Sequence, residues 1–259
     1  MDDKALIAHV GAGGKVGAEE TLPPGYRGEL MRLMVVFVDS ELAGASGFVG
    51  QVNRGPGLKE RMVAARIVSE KFGHAERVLT LLTPFGVNPR LYVRSHAWDA
   101  RLDREADLGV RRVGGDKRLN VFHYPLEGWN DALVMNMLMG TASAAQLREL
   151  RECSYGPLAE AMGAIVPQES RHAQLGENGL REALERGTSV NGVQSLVDYW
   201  YPRVADTFGR TDSDRFDLYR RYGLRRHSNA GLLAAWEGEI GDRLGRLGLT
   251  VPGDAGPAQ

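Results

Sequence analysis

The chain has 259 residues, 25% of them charged, with a formal net charge of −1; this length allows one large domain with a sizeable core, and the balance of charge advertises neither nucleic acid nor an anionic membrane. The single cysteine, Cys153, excludes an internal disulfide framework and fits a reducing cytoplasm. No apolar run reaches membrane-spanning length, and the acidic start Met1-Asp2-Asp3-Lys4 lacks the features of a signal peptide, so a soluble cytoplasmic protein is expected.

Residues 1–21 are Gly-rich and weakly patterned and read as a flexible arm. Pro23-Pro24 opens a first long helix, in which Leu30, Leu33, Met34, Phe37 and Val38 recur at helical spacing. Glu41 continues that apolar stripe, and a carboxylate there requires a partner. Asn53-Arg54-Gly55-Pro56-Gly57 turns the chain. A second helix follows from about Leu58 to Leu82, with Met62, Ala65, Ile67, Val78, Leu81 and Leu82 as expected core and Lys71 and His74 on one flank.

Residues 87–126 read as a short helix and a loop closing over one end of a bundle. A third helix runs from about Glu127 to Arg151, with Met135, Met137 and Met139 expected as packing residues. After the turn Ser154-Tyr155-Gly156-Pro157, a fourth helix runs to near Gly187. Two more helices, from Val190 to about Thr207 and from about Ser228 to Leu247, complete an all-α chain in one domain over 22–252. A tail at 253–259 is expected to be disordered. Gly47, Gly73 and Gly140 fall inside helical pattern, where glycine commonly permits close helix approach.

The informative stretch is Gln168-Glu169-Ser170-Arg171-His172. Glu and His three residues apart lie on one helix face, and in four-helix bundles such a pair is half of a metal site. The other half exists in outline, because an offset of 98 residues superposes Glu41, Lys71 and His74 on Met139, Glu169 and His172. A di-metal carboxylate centre asks for Glu or Asp, Glu and His from each hairpin. Lys71 and Met139 stand in two of those six places.

Leu22-Pro23-Pro24-Gly25-Tyr26-Arg27, Ser40-Glu41-Leu42-Ala43-Gly44, Gly73-His74, Tyr124-Pro125, Cys153-Ser154-Tyr155-Gly156-Pro157, Glu169-Ser170-Arg171-His172 and Leu247-Gly248-Leu249-Thr250-Val251-Pro252 occur in this order. As a set they resemble the phenylacetic acid catabolic family, in particular its catalytic epoxidase subunits. The resemblance implies a ferritin-like four-helix bundle with additional C-terminal helices and a di-iron centre that inserts oxygen into an aromatic ring carried as a CoA thioester. It also implies that Glu41, His74, Glu169 and His172 match ligand positions, with Lys71 in place of a bridging glutamate and Met139 in place of an aspartate.

A charged lysine and two irons make a poor pair. A unit charge about 4 Å from a divalent ion is opposed by roughly 8 kcal/mol at an effective dielectric near 20, and a thioether is a poor ligand for a hard iron. The leading expectation is therefore no cofactor, with Lys71 neutralising Glu41 and Glu169. The alternatives are one iron held by some of Glu41, His74, Glu169 and His172, with or without help from Glu70, or two irons in a rearranged site. Glu70 lies one residue out of phase and is expected to point elsewhere without a π-bulge. Two function classes follow: an oxygenase, or a binding and scaffolding protein on the same bundle. Further expectations are a homodimer or a hetero-oligomer with an oxygenase-type subunit, and an acyl-CoA ligand whose phosphates meet Arg221 and Arg225 in the basic segment 220–226. That segment also reads as a solvated face.

Overall fold

The computed structural model describes residues 1–109, 113–211, 213 and 215–253. Its helices are α1 (Asp3–Gly11), α2 (Pro24–Val52), α3 (Leu58–Leu81), α4 (Pro89–Val93), α5 (Trp129–Arg151), α6 (Gly156–Glu185), α7 (Val190–Ala205), α8 (Arg215–Arg221) and α9 (Asn229–Arg246). Among the described residues there is no β-strand, only one isolated bridge between Val16 and Tyr155.

Two hairpins make the bundle: α2 packs along α3, and α5 along α6. The second is the more intimate because of its small residues. A Cβ added at Gly176 would lie 2.7 Å from the Met137 nitrogen and 2.9 Å from the Leu133 oxygen, and one at Gly140 would lie 3.0 Å from the Ala173 nitrogen. Gly140 thus has the role expected of it. Gly73 does not, since a Cβ there meets nothing within 4 Å, and Gly47 makes room for the Arg101 side chain instead of for a helix. Pro167 sits inside α6 and removes one backbone donor without ending the helix.

Around this bundle α7 and α9 cover α5, burying Trp200 and Trp236 completely. Four long helices with extra C-terminal helices against one pair constitute a ferritin-like fold. Against the expectation that no apolar run reaches membrane-spanning length, α2 could cross a membrane by length and composition, yet 61% of its apolar window is buried within the protein, and it holds the buried carboxylates of Asp39 and Glu41.

Four further expectations need correction. Residues 3–11, expected in a flexible arm, form α1. Asp2 caps it by accepting from the Ala5 amide, Leu6 is buried, and Lys15 Nζ donates to the Cys153 carbonyl at 2.6 Å. The apolar spacing of Leu6, Ile7 and Val10 gives this short helix a face to bury. In α3, Met62 and Ala65 are exposed and Ala64 takes a core place instead, while Ile67 and Val78 are buried as expected.

The third correction concerns the loop after α4. It is pinned along the middle of α2 and does not close one end of the bundle: Asp39 accepts from Tyr92 and from the Lys117 amide, Ser40 accepts from the Leu119 amide, and Arg101 donates to the Ala43 carbonyl. The fourth concerns the segment 220–226, expected as a solvated face. It buries Tyr222 and Leu224. The tail expected at 253–259 lies, beyond Gly253, outside the described residues.

Cys153 is buried, and burial pushes its thiol up to about 11, in keeping with the absence of a nucleophilic partner in the sequence. The segment after α8 is fastened by Glu149, whose carboxylate accepts from the Arg226 amide at 2.6 Å, the His227 amide at 2.7 Å and the His227 ring at 2.6 Å. Burial pushes this carboxyl upward, but those donors outweigh it and hold it below its ordinary value. A depressed carboxylate stabilises the fold above its unfolded pKa and ceases to do so as pH falls through the folded one. Glu149→Gln is expected to cost about 1–3 kcal/mol near neutral pH. In paired denaturation curves, the difference from wild type should shrink on acidification.

Candidate functional site

Each of the four bundle helices brings one or more of the predicted residues to the same place. α2 supplies Glu41, α3 supplies Lys71 and His74, α5 supplies Met139, and α6 supplies Glu169 and His172. All six are buried, Glu169 and His172 completely. The one-turn spacing within α3 and within α6 aims both pairs inward, as read from the sequence.

The Lys71 ammonium lies between the two carboxylates. Its Nζ is 3.1 Å from Glu41 Oε1, and 3.0 and 3.2 Å from the two oxygens of Glu169. His74 Nδ1 stands 3.0 Å from Glu41 Oε2 and 3.2 Å from Glu169 Oε1, and its Nε2 is 2.8 Å from Gln168 Oε1. His172 is placed differently. Its Nε2 is 2.6 Å from Glu70 Oε2, while its Nδ1 lies 3.2 Å from Glu169 Oε1. That second approach has the distance of a hydrogen bond without its direction, so Nδ1 is a buried nitrogen with no hydrogen-bond partner. The two imidazoles are nearly parallel, with centroids 6.0 Å apart.

The charges reinforce one another. Burial opposes the Lys71 charge, but Glu169 and Glu41 outweigh it and hold the ammonium above its ordinary value. Burial likewise opposes ionisation of Glu169, and Lys71 overcomes it and holds that carboxyl well below its ordinary range. For His74, burial is again the opposing effect; hydrogen bonds with Glu169 and Glu41 raise it to about 9. The cluster is a self-neutralising set of buried ions. Glu41, His74 and Glu169 also present ligand atoms within 4.8 Å of one another, close enough to hold one ion if the ammonium were elsewhere.

Met139 does not contribute charge. With Lys71, Glu169 and Gly140 it lines a cavity of about 30 Å³, room for a water molecule. Met135 and Met137 pack in the core as expected.

Two neighbours of the site were not expected in it. Gln168 meets His74 from the residue beside Glu169. Glu70 was expected to point elsewhere, and α3 has no π-bulge; its long side chain instead spans the flank of the helix, reaching His172 and pairing with Arg171 at 2.6 Å. The usable signal was chemical, since a histidine that offers one ring nitrogen to a site commonly gives the other to a carboxylate.

Beside this cluster lies a cavity of about 400 Å³. Glu41 and Met139 contribute to its lining, Phe37, Phe122 and Leu147 give it apolar surface, and Arg32, Arg210, Arg215 and Arg225 add basic groups. Arg225 is half-buried and donates to Asn229 Oδ1 at 2.8 Å, and burial pushes its guanidinium below the ordinary value. The structure separates the two arginines picked out in the sequence: Arg221 is exposed and is not among the residues lining this cavity.

Comparison with known proteins agrees with this architecture. The model of the family described as phenylacetic acid catabolic protein matches residues 6–258. One of the subunits of 1,2-phenylacetyl-CoA epoxidase from Escherichia coli (strain K12) is 26% identical over 240 residues, covering 90% of this chain and 72% of that protein.

Proposed function

The chain belongs to the phenylacetic acid catabolic protein family, and from that premise we propose that it is an epoxidase-like bundle in which a built-in ammonium has replaced the metal pair, leaving a protein that binds an aromatic acyl-CoA without inserting oxygen. The observation that carries this reading is Lys71 Nζ at 3.0 to 3.2 Å from both carboxylates.

The donor set does not fit two irons. Two ferrous ions bring about four positive charges, which four carboxylates balance in the usual centre; the matched positions here offer Glu41 and Glu169, both already paired with Lys71. The unpartnered His172 Nδ1 and the Glu41, His74 and Glu169 trio support a second reading, a single divalent ion held after Lys71 swings away.

The ligand is proposed from the adjoining cavity. Its apolar walls suit an aryl group, and its arginines suit phosphates, which guanidinium groups bind with paired, charge-assisted hydrogen bonds. The relative's own substrate name, phenylacetyl-CoA, supplies the probe.

Metal analysis of protein expressed in iron-supplemented medium is the direct test. Iron far below one per chain is expected, about one per chain would establish the single-ion reading, and about two would overturn the proposal. In equilibrium dialysis, phenylacetyl-CoA should bind while free phenylacetate does not, and Arg225→Gln should weaken binding about tenfold, equivalent to about 1.4 kcal/mol.

A further inference from the structure

The cavity of about 400 Å³ has two chemically different ends. It follows α2 from Arg32 past Phe37 to Glu41, a rise of about 14 Å. The arginines gather at the first end. Arg215 lies 3.6 Å from Glu29, one turn before Arg32. Asn229 accepts from the Arg225 guanidinium and donates to the Arg210 carbonyl, beside the segment that Glu149 fastens to the last turn of α5. The other end is closed inside the bundle by Glu41 and Met139, and Met139 and Phe122 also line the water-sized chamber next to Lys71.

That closed end is not wholly apolar. Glu41 Oε1 meets Lys71 Nζ and its Oε2 meets His74 Nδ1, and among the described residues no other donor reaches this carboxylate. An ionised carboxylate has about four acceptor sites, so each oxygen keeps capacity for a further donor. An aromatic ring entering from the arginine end passes Leu147, Phe37 and Phe122 and then comes up against Glu41. A bare ring there would cover a charged acceptor without bonding it, which costs free energy. A ring hydroxyl supplies the missing donor, and a hydrogen bond to a charged group changes affinity by roughly ten- to a hundredfold. Met139 beside it is a flexible apolar wall whose sulfur suits an aromatic edge.

We propose that the closed end of this cavity recognises a hydroxylated aromatic ring, whose hydroxyl donates to Glu41 while Phe37, Phe122 and Met139 hold the ring. The preferred ligand is then a 4-hydroxyphenylacetyl thioester, because only a substituent opposite the acyl chain points away from the arginines and toward Glu41. A cationic substituent fits poorly, since Lys71 and His74 already bring positive charge to that carboxylate. The thioester part rests on the reading of the arginines as a phosphate site; the contact between hydroxyl and carboxylate does not depend on it.

The test compares three thioesters on the full chain by equilibrium dialysis: phenylacetyl-CoA and its 4-hydroxy and 2-hydroxy derivatives. The 4-hydroxy compound should bind about tenfold or more tighter than either of the others. Glu41→Leu, which leaves Lys71 paired with Glu169, should erase that preference while keeping the far-UV helical signal; if this variant does not fold, the comparison of the two hydroxy isomers decides. Equal binding of the three thioesters, or a preference that Glu41→Leu leaves intact, overturns the proposal and leaves the acyl-CoA reading standing. Calorimetry with p-cresol and toluene separates the two readings. A dry apolar cavity favours the hydrocarbon, because a buried phenol hydroxyl there lacks a partner. No binding of any thioester, with p-cresol still held about tenfold tighter than toluene, refutes the acyl-CoA reading alone and supports the hydroxyl site. Toluene bound as tightly as p-cresol, or binding of neither thioesters nor p-cresol, overturns the proposal.

Discussion

Replacing Lys71 with methionine is expected to lower the stability of the fold by about 3–5 kcal/mol at neutral pH, the cost typical of breaking a buried ion pair from one side. Methionine conserves much of the volume, so the loss is electrostatic: Glu169, wholly buried, and Glu41 would face each other without the ammonium between them. Both carboxylates accept hydrogen bonds from the same nitrogen, so the substitutions should be strongly non-additive. A Lys71→Met/Glu169→Gln double variant should be less destabilised than the sum of its parts, with a coupling of about 1–3 kcal/mol in a denaturation cycle. Additive losses, or a Lys71→Met variant as stable as wild type, would show that the ammonium is not what holds this cluster together.

The second large effect is a gain. Lys71→Glu combined with Met139→Asp removes a buried cation and adds two carboxylates, giving four carboxylates and two imidazoles around one interior point. Such a donor set is that of a di-metal bundle. The metal-free variant is expected to be less stable than wild type because its acidic groups crowd together without a counter-charge. Iron should reverse the order. At a free concentration one hundred times the dissociation constant, binding stabilises a fold by about 2.7 kcal/mol, a shift visible in thermal unfolding with and without ferrous iron. Elemental analysis should find about two irons in the variant. A variant that stays metal-free would mean that more than two residues separate this site from a metal centre.

Much of the cluster was legible because helical geometry is local. Glu169 and His172, like Lys71 and His74, are one turn apart, and that spacing alone puts each pair on one side of its helix. The offset that superposes Lys71 on Glu169 then matched two hairpins before their packing was known, and the structure brings Glu41, Lys71, His74 and Glu169 within hydrogen-bonding distance. Glu70 escaped this reasoning because phase describes where a side chain starts and not how far it reaches. Its destination depended on how closely α6 approaches α3 at His172.

Other misreadings have a related cause. Met62 and Ala65 were assigned to the core because α3 carries two apolar stripes, and periodicity cannot say which of them turns inward. Glycine-rich flanks hid α1, whose Leu6 gains its buried setting only where it joins the apolar cluster around Tyr26 and Tyr222. The basic cavity was invisible for a plainer reason: Arg32 comes from α2, Arg210 from the segment after α7, Arg215 from α8 and Arg225 from the segment after it. Spacing along the chain holds no information about such a convergence.

The sequence by itself determined that the protein is a helical bundle, which residues face its interior site, and that a lysine and a methionine stand where two acids are usual, because the helical repeat and residue chemistry are local properties. Only the tertiary structure decided that the ammonium sits between both carboxylates, that Glu70 completes the surroundings of His172, and that the second apolar stripe of α3 faces outward. Those outcomes are set by distances between helices, which depend on packing across the whole fold.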